Sequence, residues 1–297
     1  MANAPLDTEL PSSFEPALAA PAPVRAARWR GRLDVLLPAA VLVVVFGACF
    51  LLPAVLPLPK PVGGGSVLSA NLPPLSPGHP LGTDPVGNDL LSRLLYGGRA
   101  SLETALAVQV IGLFLGGALG ALAAYVGGWL DAAVMRCLDV LIAFPALVLA
   151  LAIAQSLGPS QSHTILALCF FSVPIFARNA RATTLRLREL TFMTAANLCG
   201  TRTWRILLRH VAPNILPPLV TFGLLGTGVI MIIEGALSFL GLGVPPPNPS
   251  WGNMIFQGQQ NLVATPLLVL FPSLFLFASV LAFNLVGDAM RSRWSAA

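Results

Sequence analysis

Apolar residues in this chain come in long blocks separated by short polar breaks. Six such runs lie at 33–58, 100–126, 133–155, 165–180, 214–240 and 264–287. Each is near the roughly 20 residues that a helix needs to cross a bilayer. The pattern predicts an all-α, multi-pass membrane protein with six transmembrane helices. Residues 1–32 are rich in Ala, Pro and small or acidic polar residues, and end in Arg25, Arg28, Arg30 and Arg32. That composition predicts a disordered tail. The apolar run behind it is too long for a signal peptide and has no clear small-residue cleavage site, so 33–58 is expected to remain as the first span. Residues 291–297 form a second short tail.

The break at 178–213 is a long polar interval between two spans and has helical patterning of its own. It holds Arg178, Arg181, Arg186, Arg188, Arg202, Arg205 and Arg209. Residues 188–199 lack proline and internal glycine, and Thr194, Ala195 and Ala196 give that stretch a small-residue face. Gly200 stands where a helix ends on a left-handed residue. Thr201 could cap a second helix, with Trp204, Leu207, Leu208 and Val211 on one stripe and Arg202, Arg205 and Arg209 on another. Two short helices hinged at a glycine make a docking platform. The alternative is a basic anchor that only sets topology.

The segment at 59–98 starts rich in Pro, Gly and Ser and then turns amphipathic. Asp84 is expected to cap a helix with Pro85 at its first position and Gly97 at its end. Leu90, Leu91, Leu94 and Leu95 would place that helix on the membrane surface. Asp84 and Asp89 suggest a calcium loop, but Leu95 occupies the position of the bidentate Glu and excludes it.

Composition and charge sharpen the picture. The chain is 56% hydrophobic and 10% charged, against about a quarter charged in soluble proteins. Its net charge of +5 therefore concerns orientation rather than nucleic acid. If residues 1–32, the turn after the second span with Arg136 just beyond it, the 178–213 break and residues 291–297 face the cytoplasm, 14 of the 17 basic residues lie inside. Only Lys60, Arg93 and Arg99 then fall outside, as the positive-inside rule requires. Both termini are expected in the cytoplasm and residues 60–98 outside. Cys49, Cys137, Cys169 and Cys199 lack metal spacing and read as reduced packing residues.

Thr194, Ala195, Ala196, Gly200 and Pro213 together resemble the "EAA" loop of bacterial ABC importer permeases. Ala195, Ala196, Gly200 and Pro213 match that pattern; Thr194 stands where the family usually has Glu, and Ala212 where it has Leu. The stretch HPLGTDPVGNDLLSRLLYGGRASL at 79–102 is similar to the C-type subunits of dipeptide and oligopeptide importers. So are MRCLD through AFP at 135–145, EGALSFLGLG with PSWGN at 234–253, and LAFNLVGD at 281–288. The resemblance covers 33–293. It implies a type I importer permease fold over 99–290, with a coupling loop at 188–213 that docks on an ATPase. Thr194, Ala195, Ala196, Gly200, Arg202, Arg205 and Pro213 would contact that subunit. It also implies a second, B-type permease, two ATPase subunits holding ATP and Mg, and an extracytoplasmic peptide-binding protein, in a bacterial inner membrane.

The remaining chemistry is sparse. Glu234 is the carboxylate deep in the fifth span; a charge there costs at least about 2.5 kcal/mol. It either lines a water-filled path or makes a structural hydrogen bond. Asp139 is expected to pair with Arg136, Pro145 to kink the third span, and Trp251 to sit at the membrane interface. No G-x-x-x-x-G-K-[ST], H-E-x-x-H or G-x-S-x-G is present, so ATP hydrolysis and the chain's own catalysis are not expected. The expected function is ATP-driven import of dipeptides and oligopeptides. Nickel chelates or glutathione are alternative cargoes. An ion-gradient transporter is the competing class, but it would favour several intramembrane ionisable groups and paired broken helices.

Overall fold

The computed structural model describes residues 33–294; the expected disordered tail and its four arginines lie outside that range. The order is α1 (Leu33–Phe46), α2 (Leu52–Val55), α3 (Leu90–Ile111), α4 (Gly117–Val126), α5 (Gly128–Ile142), α6 (Ala146–Leu157), α7 (Gln161–Arg188), α8 (Thr191–Leu198), α9 (Thr203–Ile206), α10 (Ala212–Phe239), α11 (Trp251–Gln259) and α12 (Leu267–Trp294). Single π-helical turns at Gly47–Leu51, Gly112–Gly116 and Leu207–Val211 join α1 to α2, α3 to α4 and α9 to α10. Among the described residues, five helices are long and apolar enough to cross a membrane: Val35–Val55, Leu90–Val126, Gln161–Arg188, Thr203–Phe239 and Leu267–Ser292.

The expected third span is not one kinked helix. α5 and α6 meet at 83°. Pro145 supplies no backbone N–H and pushes the residue before it out of the helical region, so α5 stops and α6 begins anew. Glycines in the left-handed region close the neighbouring helices, Gly127 (φ +73°) after α4 and Gly158 (φ +83°) after α6.

Close backbone approach builds the centre. Gly112, Gly116 and Gly120 recur every four residues, and all three face α7. A Cβ on Gly112 would meet the Phe176 ring at 2.7 Å, one on Gly116 would meet Phe176 Cβ at 2.7 Å, and one on Gly120 would meet the Ala177 carbonyl carbon at 2.8 Å. Small residues at this spacing are how membrane helices pack without a hydrophobic driving force. On α10, Gly226 lies under the amide of Gln109 and Gly228 under that of Asn284. These contacts hold α10 against α3 and α12.

The outer end departs from expectation at four points. The helix begins at Leu90, not Asp84, and Asp89 caps it by accepting from Ser92 N at 2.8 Å. Asp84 instead folds a turn: its Oδ1 accepts from Val86 N (2.9 Å) and Asn88 N (2.8 Å), and Arg93 Nε lies 3.5 Å from Oδ2. Gly87 at φ +83° turns the chain there, so Pro85 cannot open a helix. Nor does the helix stop at Gly97: it runs on to Val126 as one 37-residue span. Leu90, Leu94 and Leu95 are consequently core residues rather than a surface stripe. Trp251 is also fully buried, donating from Nε1 to Leu94 O at 3.0 Å, instead of sitting at the interface. Gly98 leaves the gap its ring fills; a Cβ would stand 2.6 Å from Cys49 Sγ.

Candidate functional site

The arginines of the central break divide into two groups with different work. Arg178, Arg181, Arg186 and Arg188 belong to α7, which outlasts its apolar stretch. Arg181 grips Asp131 of α5 with both Nε (2.7 Å to Oδ1) and Nη2 (2.6 Å to Oδ2), a bidentate geometry that also fixes orientation. Arg178 Nη2 lies 2.5 Å from Asp139 Oδ1, so Asp139 pairs across helices with Arg178 and not with its own neighbour Arg136. Arg188 Nη1 donates to the Ala124 carbonyl at 3.0 Å, satisfying a carbonyl freed at the end of α4. These side chains staple α4 and α5 to α7.

The platform proper is α8, the Gly200 turn and α9. α8 begins at Thr191, later than expected, because 186–188 still belong to α7. Met193 alone in α8 is buried, in a cluster with Ile206, Val211 and Ile215. Thr194, Ala195 and Gly200 are exposed and Ala196 half-buried. Gly200 has φ +70°. Its N–H donates to Asn197 O (3.0 Å), and Thr201 N–H to Ala196 O (3.2 Å). This paired closure is the Schellman ending of a helix. Tyr125 Oη donates to Asn197 Oδ1 at 2.7 Å and ties the hairpin to the end of α4.

Arg202, not Thr201, occupies the N-cap of α9, without a side-chain cap. Arg205 lies over the Trp204 ring at 5.5 Å. The expected stripe does not hold: Ile206 and Val211 are buried, whereas Trp204 is 54% and Leu208 66% exposed. The π turn Leu207–Val211 inserts extra backbone and breaks the 3.6-residue period on which the stripe rests. Pro213 follows at the start of α10, directly after the π turn. The structure therefore brings Thr194, Ala195, Ala196, Gly200, Arg202 and Arg205 onto one exposed hairpin and sets Pro213 at its root.

Glu234 lies elsewhere, roughly 30 Å further along α10 at 1.5 Å per residue. It is 1% exposed. Its Oε1 accepts from Ser238 Oγ at 2.8 Å. The other oxygen makes no hydrogen bond of ordinary geometry, with the Ser101 hydroxyl beside the carboxyl. Ser101 Oγ in turn accepts from Trp251 N at 3.3 Å, so Glu234 marks the junction of α3, α10 and α11. It lines none of the cavities described here. A cavity of about 390 Å3 between α3, α7, α10 and α12 is instead lined by Gln109, Ser172, Asn284 and apolar neighbours. Sequence reasoning passed over these three; polar side chains inside apolar runs were the available signal.

Comparison with known proteins agrees with this architecture. Residues 116–295 match the family described as binding-protein-dependent transport system inner membrane component. A glutathione transport system permease protein GsiD of Pectobacterium atrosepticum is 42% identical over 216 residues, covering 73% of this chain and 72% of that one. A dipeptide transport system permease protein DppC of Alkalihalophilus pseudofirmus is 39% identical over 213 residues, covering 72% and 70%. The inward-facing MetNI methionine ABC transporter has a chain of the same fold, with TM-score 0.53 and 18% identity over 67% of this chain and 95% of that one. The buried helix packing, the exposed hairpin and these matches lead to one conclusion: this chain is an inner-membrane permease component of the binding-protein-dependent transport family, with the ABC importer permease fold.

Proposed function

We propose that this chain is the C-type permease subunit of an ATP-driven importer for dipeptides and oligopeptides. The observation that carries the reading is the exposed hairpin built on Gly200 (φ +70°), whose small residues let a partner's backbone approach closely. One of two ATPase subunits, which hold ATP and Mg, docks on this hairpin from the cytoplasm. A B-type permease completes the membrane pair, and an extracytoplasmic binding protein delivers the peptide. Both termini face the cytoplasm. Closure of the ATPases pushes α8 and α9; because α9 runs through the π turn into α10, the push reaches a membrane span as a rigid-body movement.

Peptide as cargo is supported by the DppC relative. Glutathione is the second reading, favoured by the GsiD relative, and is itself a tripeptide. The test is uptake of labelled di- to hexapeptides and of labelled glutathione in a strain lacking this subunit, with co-purification of the ATPases on the tagged chain. Loss of peptide uptake on deletion and recovery of the ATPases is expected. Intact peptide uptake with glutathione uptake lost would move the cargo to the second reading. Failure to recover an ATPase, with uptake set by an ion gradient, would overturn the importer reading itself.

A further inference from the structure

An apolar groove of about 710 Å3 runs between the α3–α4 span and the start of α10, and nothing in the transport scheme above uses it. Phe114, Ala118 and Leu122 form one wall; Trp204, Leu208 and Leu216 form the other. Each wall includes part of a π-helical turn, Gly112–Gly116 on one side and Leu207–Val211 on the other. Such turns widen a helix locally and often accompany functional sites. The volume lies in the range of small-ligand pockets, roughly 300–1,000 Å3. It holds no more than about two turns of a helix roughly 10 Å across. A peptide in transit would strand its backbone amides there without hydrogen bonds.

The groove's end is chemically distinct from its walls. Trp204 is half exposed, and the Arg205 guanidinium covers its ring. Arg209 follows one turn later and is exposed. No acidic residue occurs at 104–130 or 190–233, so neither wall neutralises these guanidinium groups. A slot for an alkyl chain that ends in arginines with no acidic residue on either wall fits an anionic amphiphile. Basic pockets between membrane helices recognise acidic lipid headgroups in this way.

We propose that this groove binds one anionic phospholipid, its acyl chain between Ala118 and Leu208 and its phosphate on Arg205 and Arg209. The lipid then bridges the span α3–α4 and the π turn that joins the docking hairpin to α10. Its occupancy stiffens the joint through which the hairpin moves the membrane helices. This site is separate from the cargo path and does not depend on what the importer carries.

The test uses the assembled transporter in nanodiscs and follows the quenching of Trp204 by brominated acyl chains, taking Trp204→Phe as the baseline. Brominated phosphatidylglycerol is expected to quench at lower mole fraction than brominated phosphatidylcholine. Removing each arginine, as Arg205→Gln and Arg209→Gln, should reduce that preference about fivefold, the equivalent of about 1 kcal/mol per basic residue near the surface. Ala118→Phe should fill the groove and lower quenching by both lipids. Arg209 is exposed and lies outside the docking residues named above, so Arg209→Gln tests the proposal even if the filled groove misfolds or Arg205→Gln loosens the hairpin. Equal quenching by both headgroups, unchanged by the arginine variants, would overturn it. So would a Leu208→Cys cross-link to a second protein subunit in place of lipid contact.

Discussion

Replacing Gly200 by valine isolates the geometry of the docking hairpin. A Cβ at this position would meet nothing within 4 Å, so packing is not the obstacle; the backbone is. At φ +70° a β-branched residue is a strong outlier and costs about 2–3 kcal/mol. That shifts the balance between closed and open hairpin by roughly 30- to 150-fold, since every 1.4 kcal/mol is tenfold. Besides the Tyr125–Asn197 hydrogen bond, α8 is held mainly by Met193, its one buried side chain. The hairpin should therefore open while the spans stay folded, as weakly packed units do first. Gly200→Val is expected to insert at normal levels, to lose co-purifying ATPase, and to lower peptide uptake at least tenfold. Asparagine reaches the left-handed region far more readily, so Gly200→Asn should keep most of both. Normal uptake in the valine variant would refute the argument. Equal loss in both variants would also refute it, pointing to a need for a bare backbone at the contact rather than for a left-handed turn.

Four further outcomes follow from named contacts. In a Cys137→Ser background, exposed Cys199 should react with an impermeant thiol reagent in inverted vesicles but not in intact cells; labelling from outside would reverse the assigned orientation. Asp131→Asn should lower the melting temperature by the equivalent of about 1 kcal/mol, with recovery in the exchanged pair Asp131→Arg/Arg181→Asp, and absence of that recovery would remove the clamp between α5 and α7. Because Glu234 is 1% exposed and away from the cavities, Glu234→Gln should change uptake of cationic and neutral peptides alike; selective loss of the cationic ones would return it to the path. Gly98→Leu should cut the yield of folded protein, since overpacking against Trp251 and Cys49 costs about 1–3 kcal/mol, and normal yield would mean that this end of the molecule repacks freely.

What could be read from the chain and what could not follow the range of the physics involved. Bilayer thickness dictates length, so five apolar helices and a broken sixth span were legible as hydrophobic runs. The left-handed turn at Gly200 was legible too, because its requirement is local: a small residue where a helix must reverse. The outer segment misled for the opposite reason. Asp84, Pro85 and Gly97 carry capping signals, but tertiary contacts decide there: Asp84 closes a turn beside Arg93, and Gly97 and Gly98 stay helical where Pro249 and Met254 pack on the first and Trp251 on the second, from more than 150 residues away. Asp139 had a neighbour at helical spacing in Arg136, yet an arginine on another helix reached it first. The stripe after Gly200 failed because a π turn, invisible to a 3.6-residue period, shifts the register at Leu207–Val211. Local propensity and hydropathy thus determined how many apolar spans there are and where one short helix reverses. Only the packed structure decided which charges pair, which glycines take backbone contact and which apolar faces remain open, because each of those depends on a residue distant along the chain.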